Sequence, residues 1–504
     1  MNGQTAPTSS SRRFALLASL SVVGLFVVLR IVLAFVRDPF FDELFTVWIA
    51  RKPFGALLDA LRHDSGPPLY YLIVKLAGPV TGPSIDAARA ISLVVSILAL
   101  IALLREQRLG PERWIAGLLV AVTPAHLYFS TEARSYALCG TFVAIAMIAL
   151  SRWHAEGRMG ALAGGSAALL LAAYSHYYGV LFFPLPFLLG VDAALAARRG
   201  RDQRAVERAG SVSWRSIIEG CLASALLLLL FVPGFRLAFV QPAAAAMRWM
   251  DVSSGSWRDA ASALFRASVA GRFESPFLPP LPPWMVMLAS ALVAALLLFG
   301  LFQWSRSRLY VLFTITPVVL AIAFALAGKR IYFPLRFEAV LAIPCAFWLA
   351  AAIERTGRWV RPLLIATLIA LGLTTSLWTI LSHASSPPDS LRRAALFVHR
   401  QVDPEMPIVA GSFAWLEIAS RIGAGWSPTL YALPAEQALH PGWRAIVAPS
   451  VLERDLEAID RQTGGRFIWV GERASPELGA IARTHRLRQL FGDGPLVVAY
   501  AERR

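Results

Sequence analysis

The sequence predicts an all-α polytopic membrane protein of about eleven transmembrane helices, followed by a small external α/β domain. Three observations predict it. The 504 residues are 57% hydrophobic and only 16% charged, with a mean hydropathy of +0.57, whereas soluble domains carry roughly 25% charged residues. Apolar stretches near the roughly 20 residues that cross a bilayer recur from residue 14 to residue 382. Past residue 383 the hydrophobic density falls, and short apolar runs alternate with charged, helix-compatible stretches.

Taken in order, the expected spans are 14–36, 90–104, 114–130, 136–151, 160–175, 178–197, 216–236, 284–304, 309–327, 337–353 and 362–382. The first is interrupted only by Arg30. The second and third are short. Between the first two lies GPPLYYLIVKLAGPV, 66–80, which is apolar but too short to span. Pro67 and Pro68 suit a helix start, so an interfacial or re-entrant helix is expected there.

The net charge of +16 invites a nucleic-acid reading. The placement of the charge argues against it. Arginines concentrate in alternate loops, at 12–13, 105–113, 152–158, 198–215, 306–308 and 355–361. That is the positive-inside pattern, which places the N-terminus inside and the loop holding Asp42 outside. Arg12-Arg13 faintly resembles a twin-arginine export signal, but the run that follows is too long, so an uncleaved first helix is expected. Cys139, Cys221 and Cys345 all fall in apolar spans and read as small core residues.

SHASSPPDS, 382–390, reads as a linker, dividing a membrane domain, 1–382, from an external domain, 383–504. The expected strands of that domain are PIVAG (407–411), RAIVAPS (444–450), RFIWVG (466–471) and PLVVAY (495–500), with VLERDLEAIDRQ (451–462) as a helix. No internal repeat is visible, which weakens a transporter reading.

The chemistry-bearing residues collect in the loops expected on the outer side. Asp42 and Glu43 follow the first span among Phe40, Phe41, Leu44, Phe45 and Trp48. Partial desolvation there makes a carboxylate a better proton acceptor. The same loop holds His63 and Asp64. The next outer turn, PAHLYFSTEARSYAL, holds His126, Glu132, Arg134 and Tyr136, and YSHYYG holds His176. GKRIYFPLRFEAV holds Lys329, Arg330, Tyr332 and Arg336. Polar side chains near membrane depth are expensive and often functional. Arginines and lysines at headgroup level suit a phosphate, and a base beside them could deprotonate a hydroxyl attacking a carbon bonded to that phosphate. Group transfer from a lipid phosphate is the reaction class that follows.

The order of these motifs resembles that of the GT-C membrane glycosyltransferases, in the branch with protein O-mannosyltransferases and the lipid A aminoarabinose transferase. The matching stretches are DELFTVWIA (42–50), PPLYYLIVKL (67–76), RAIS (89–92), HLYFSTEARSYAL (126–138), HYYG (176–179) and RIYFPLRFEAVLAIP (330–344). The resemblance implies a GT-C fold and inverting transfer of a sugar from a polyprenyl-phosphate donor to a hydroxyl of a lipid, glycan or protein. It implies an enzyme of a bacterial inner membrane, with its site facing the periplasm. It also implies Asp42 as general base with Glu43 beside it, Glu132 as a second acid, and Arg336 with Lys329 and Arg330 on the donor phosphate. The family's frequent Arg-Tyr pair is Arg336-Phe337 here, which leaves Tyr332 as the substitute. His63, Asp64, Arg134, Tyr136 and His176 are further substrate-site candidates.

Some relatives bind a divalent metal, and His63, His126 and His176 could hold one. No HxxH or HxxxH spacing supports it, so hydrogen bonding is the expected role. Tyr70, Tyr71, Tyr177 and Tyr178 read as an interfacial aromatic belt. The rival functions are a lipid-linked glycan polymerase or flippase, and a transporter using the acids as a proton relay.

Overall fold

The computed structural model describes residues 9–62, 66–82, 84–199, 203–240, 256–271, 278–328, 331–386, 390–411, 414–419, 428–433 and 452–504. Among the described residues, eight helices are long and apolar enough to cross a membrane, and a ninth if the pair Trp214–Leu230 and Val232–Phe239, bent by 43°, counts as one span. Eleven were expected. The two that fall short are helical all the same. Met159–Ser175 is a 17-residue helix, and the stretch 114–130 is split at Pro124 into Glu112–Val122 and Pro124–Phe129.

That split explains the one charge inside the first span. Proline has no N–H, so the carbonyl of Val120, four residues earlier, loses its helical donor. Arg30 supplies the replacement. It is fully buried, and its guanidinium donates to the carbonyls of Ala121 at 2.6 Å and Val120 at 3.1 Å and to Ser130 Oγ at 3.0 Å, and it meets His126 Nδ1 at 3.0 Å. In a lipid environment, freed backbone carbonyls must be satisfied internally. Arg30 therefore caps a broken helix from a neighbouring one.

Helix Arg336–Ile353 is the axis of the bundle: every residue from Phe337 to Ile353 is buried. It packs against the helices Glu112–Val122, Tyr136–Glu156, Pro283–Phe302 and Trp304–Leu326. Its first residue, Arg336, consequently emerges at the end of the bundle where Asp42 lies. The first span ends at Val36, and the chain turns into a short, largely buried helix, Phe41–Arg51, whose first turn carries Asp42 and Glu43. Lys52-Pro53 stops this helix, and Lys75 caps it by donating to the carbonyls of Ala50 and Lys52. Lys75 belongs to helix Leu69–Thr81, the short helix expected in this loop. Of the four tyrosines expected as an interfacial belt, Tyr177 is half-buried and the other three are turned into the protein. Tyr70 is buried with its hydroxyl on Ala88 O and Ser92 Oγ, Tyr71 accepts from Arg134, and Tyr178 is buried as well. Cys139 and Cys345 are buried, whereas Cys221 is exposed on its helix.

The C-terminal unit is a six-stranded sheet of β1 (Ile408–Ala410), β2 (Leu430–Ala432), β3 (Leu452–Glu453), β4 (Arg466–Glu472), β5 (His485–Asp493) and β6 (Leu496–Arg503), in the order β3-β2-β1-β4-β6-β5. The first four strands pair in parallel and β4-β6-β5 antiparallel. RAIVAPS lies outside the described residues. The unit grips the Asp42 helix. Leu44, Phe45 and Ile49 share one apolar cluster with Ala394 and Val398 of helix Ser390–Gln401 and with Trp415 and Ile418. Arg392 pairs with Asp38 at the end of the first span.

Candidate active site

The two adjacent acids separate by their places on the helix, since neighbouring residues point about 100° apart. Glu43 turns inward and is fully buried. Its Oε1 accepts from Arg37 Nη2 at 2.9 Å, Arg89 Nε at 2.8 Å and the Ala133 amide at 2.8 Å. Its Oε2 accepts from Arg89 Nη2 at 2.7 Å and the Phe40 amide at 2.9 Å. Burial opposes ionisation, but Arg37 and Arg89 overcome it and hold the carboxyl below its ordinary range. Glu43 thus ties together the end of the first span, the start of helix Ile85–Arg105 and the loop at Ala133. A carboxylate so occupied orients its surroundings.

Asp42 faces the other way. Its side chain is 27% exposed, and Oδ2 lies 3.3 Å from Arg336 Nη2 and 3.9 Å from Arg134 Nη2. Residues 42, 134 and 336, far apart in the chain, therefore meet at one spot. Arg134 also donates to Tyr71 Oη at 3.0 Å. Leu335, just before Arg336, has φ 73° and ψ −39°, a region where a side chain costs about 1–3 kcal/mol. The strained residue turns the chain so that the guanidinium of Arg336 reaches Asp42.

Behind this spot stands a wall of rings. Tyr136 lies tilted 4.9 Å from His176, His176 lies 4.3 Å from Tyr178, and Tyr178 meets Phe337 at 5.1 Å. Gly179 permits it, because a Cβ there would come within 2.3–2.6 Å of the Ala172–Ala173 backbone. Burial, with Arg134 and Arg336 adding to it, depresses the His176 imidazole to about 3, so the ring is neutral.

The other expected residues divide. His63, Asp64, Lys329 and Arg330 lie outside the described residues. Tyr332, expected at the donor phosphate, is instead fully buried, its hydroxyl held by Glu338 and Arg266. Arg266 Nε also pairs with Glu338 at 2.8 Å. The physical reason is that Glu338, inside the axial helix, needs donors, and Tyr332 is one of them. His126 serves Arg30. Among the described residues, no group of three or more His, Cys, Asp or Glu side chains could hold a metal ion. Sequence reasoning missed Arg37, Arg89, Arg266 and Glu338 as site-building residues. Arg37 at the edge of the first apolar run and the arginine of RAIS were the signals that could have found two of them.

Glu132 is buried, and its Oε2 has no hydrogen-bond partner among the described residues. Burial, with the negative charges of Glu43 and Asp42 adding to it, raises its pKa to about 7, well above the ordinary 4.5. The folded state therefore keeps this proton between those two values while the unfolded chain has lost it. Stability from this group falls as pH rises through that window and is absent above it. Glu132→Gln should be more stable than the parent at pH 8 by about 1–3 kcal/mol and indistinguishable near pH 4.5. Thermal unfolding in one lipid at both values checks it, and parallel curves for the two proteins would contradict it.

Neither a protein-family model nor a curated protein matches the sequence. Solved structures do match. The chain is similar to ArnT from Cupriavidus metallidurans in the apo state, with a TM-score of 0.60, 16% identity, and coverage of 96% of this chain and 98% of that one. It is similar to the same protein bound to undecaprenyl phosphate, with a TM-score of 0.59, 15% identity, and coverage of 95% and 98%. At such identity the likeness shows a shared fold, the GT-C fold the motifs imply.

Proposed function

We propose that the protein is an inverting glycosyltransferase that moves a sugar from a polyprenyl-phosphate donor to an acceptor hydroxyl at the outer membrane face. The observation that carries this reading is the meeting of Asp42 with Arg336 and Arg134 in a partly open spot at one end of the bundle. The fold shared with ArnT, a protein solved with undecaprenyl phosphate bound, supports the donor class.

The donor phosphate competes with Asp42 for Arg336. On binding it draws that guanidinium away and frees the carboxylate. Asp42 then accepts the proton of the acceptor hydroxyl as its oxygen attacks the anomeric carbon, and the bond from that carbon to the phosphate oxygen breaks. The electron pair leaves with the phosphate, whose growing charge Arg336 and Arg134, with Lys329 and Arg330, stabilise. Glu132, its pKa raised to about 7, is about half protonated at neutrality and so adds less negative charge beside the base than an ordinary carboxylate would. Glu43 keeps the helix in place. A proton-relay transporter draws little support, because Arg30 is spent on carbonyls, Ser130 and His126.

Purified protein in lipid, given a panel of polyprenyl-phosphate sugars, should release lipid phosphate from one of them in the presence of acceptor lipid or glycan. No release from any donor would overturn the reading. In intact cells a cysteine at Ser390 should be labelled by an impermeant reagent and one at Gly200 should not. The reverse would place the site on the inner side.

A further inference from the structure

A cavity of about 650 Å³ lies against the Asp42 helix, away from Asp42 itself. Leu44, Val47, Trp48 and Arg51 line it, and at 100° per residue this stripe faces about 180° from Asp42. The buried Glu43–Arg37–Arg89 cluster stands between the two faces. Its floor belongs to the membrane: Ile31 and Phe35 from the last turns of the first span, Ala90 and Leu93 from the first turns of helix Ile85–Arg105. Phe35 is 86% exposed, and Val94 and Leu98 continue an exposed apolar track along the second helix. The roof is polar and carries both signs. Arg51, Arg89 and Arg392 share it with Asp38, Asp86 and Glu417. Arg37 also lines it; its guanidinium lies over the Tyr128 ring at 4.3 Å, and its Nε and Nη1 have no hydrogen-bond acceptor among the described residues.

An apolar floor and a charged roof at one membrane boundary fit an amphiphile, its chain on the track and its head above. Asp38 is already paired with Arg392, and Arg37 and Arg89 with Glu43, yet a purely anionic head would still meet Asp86 and Glu417, and a purely cationic one Arg51 and the remaining N–H groups of Arg37. A head with one charge of each kind satisfies both sets. A primary ammonium gives the carboxylates hydrogen bonds that a quaternary one cannot, and Trp48 alone makes no aromatic cage for a quaternary ammonium. We propose that this cavity is a second lipid site, taking a phospholipid with a zwitterionic, primary-ammonium head behind the helix that carries Asp42. It stands apart from the glycosyl-transfer reading. It requires neither donor nor acceptor.

The test uses the full chain in detergent, titrated with phospholipids whose acyl chains are brominated, since bromine quenches nearby tryptophan. The Trp48 signal is the difference between the protein and its Trp48→Phe variant. Brominated phosphatidylethanolamine should quench it at about tenfold lower concentration than brominated phosphatidylcholine or phosphatidylglycerol, the worth of one charged hydrogen bond. Asp86→Asn, an exposed position outside the catalytic machinery, should erase most of that preference and leave residual quenching. Equal quenching by all three heads means ordinary surrounding lipid and overturns the proposal. A preference unchanged in Asp86→Asn overturns the assigned head. Loss of quenching on adding unbrominated undecaprenyl phosphate assigns the cavity to the substrate lipid and overturns it as a second site.

Discussion

Asp42→Asn should lower turnover by about 10²–10⁴-fold while donor binding survives, the usual scale for removing a general base. Asparagine keeps the shape and can still accept a hydrogen bond from Arg336, but it cannot take the proton of an attacking hydroxyl. The partial exposure of Asp42 also means that its ion pairs contribute little to stability, about 0–1 kcal/mol. The variant should therefore fold and express normally. Glu43→Gln is the contrast. It leaves Arg37 and Arg89 buried around a neutral amide, which should cost about 3–5 kcal/mol of stability, so yield and melting temperature fall before any rate is measured. Sugar transfer, donor binding and thermal unfolding of both variants in nanodiscs separate the two acids. Normal turnover in Asp42→Asn would leave that carboxylate as a solvated helix end and remove the mechanism.

Arg336→Ala should raise the donor KM by about 10–10²-fold, the equivalent of a charge-assisted hydrogen bond worth about 1.5–3 kcal/mol. Arg336→Lys should recover only part of it, because an ammonium lacks the planar fork that grips a phosphate through two parallel bonds. The structure adds a condition. Leu335 is strained so that Arg336 sits at the helix start facing Asp42. Leu335→Gly relieves that strain without touching the guanidinium but gives up the packing of Leu335 against the bundle core, so it should raise KM less than Arg336→Ala does and leave melting temperature close to the parent's. Steady-state kinetics with varied donor at saturating acceptor read all three. A folded Arg336→Ala protein with unchanged donor KM would take this residue out of the site.

What the sequence determined by itself was the set of elements and the face on which chemistry collects. Hydrophobic periodicity and length are local properties, so every expected span, from the run after Phe14 to the one ending near Leu381, is largely helical in the structure, with breaks at Phe183-Pro184 and Phe231. Pro124 shortened one of them, through an N–H that proline lacks. The strands β1, β4 and β6 were legible as apolar runs, whereas β5, an edge strand in which Arg486, Arg488 and Gln489 interrupt the apolar residues, carried no such signal. Adjacency of Asp42 and Glu43 likewise announced two different directions on one helix. Only the tertiary structure decided which direction meets what. Glu43 finds Arg37, Arg89 and the Ala133 amide because three elements cross there, and Asp42 finds Arg336 across 294 residues. The same packing withdrew Tyr332 into the pair of Arg266 and Glu338. Ion pairs and cavities form between elements distant in the chain, and no local pattern encodes which partner a buried charge will reach.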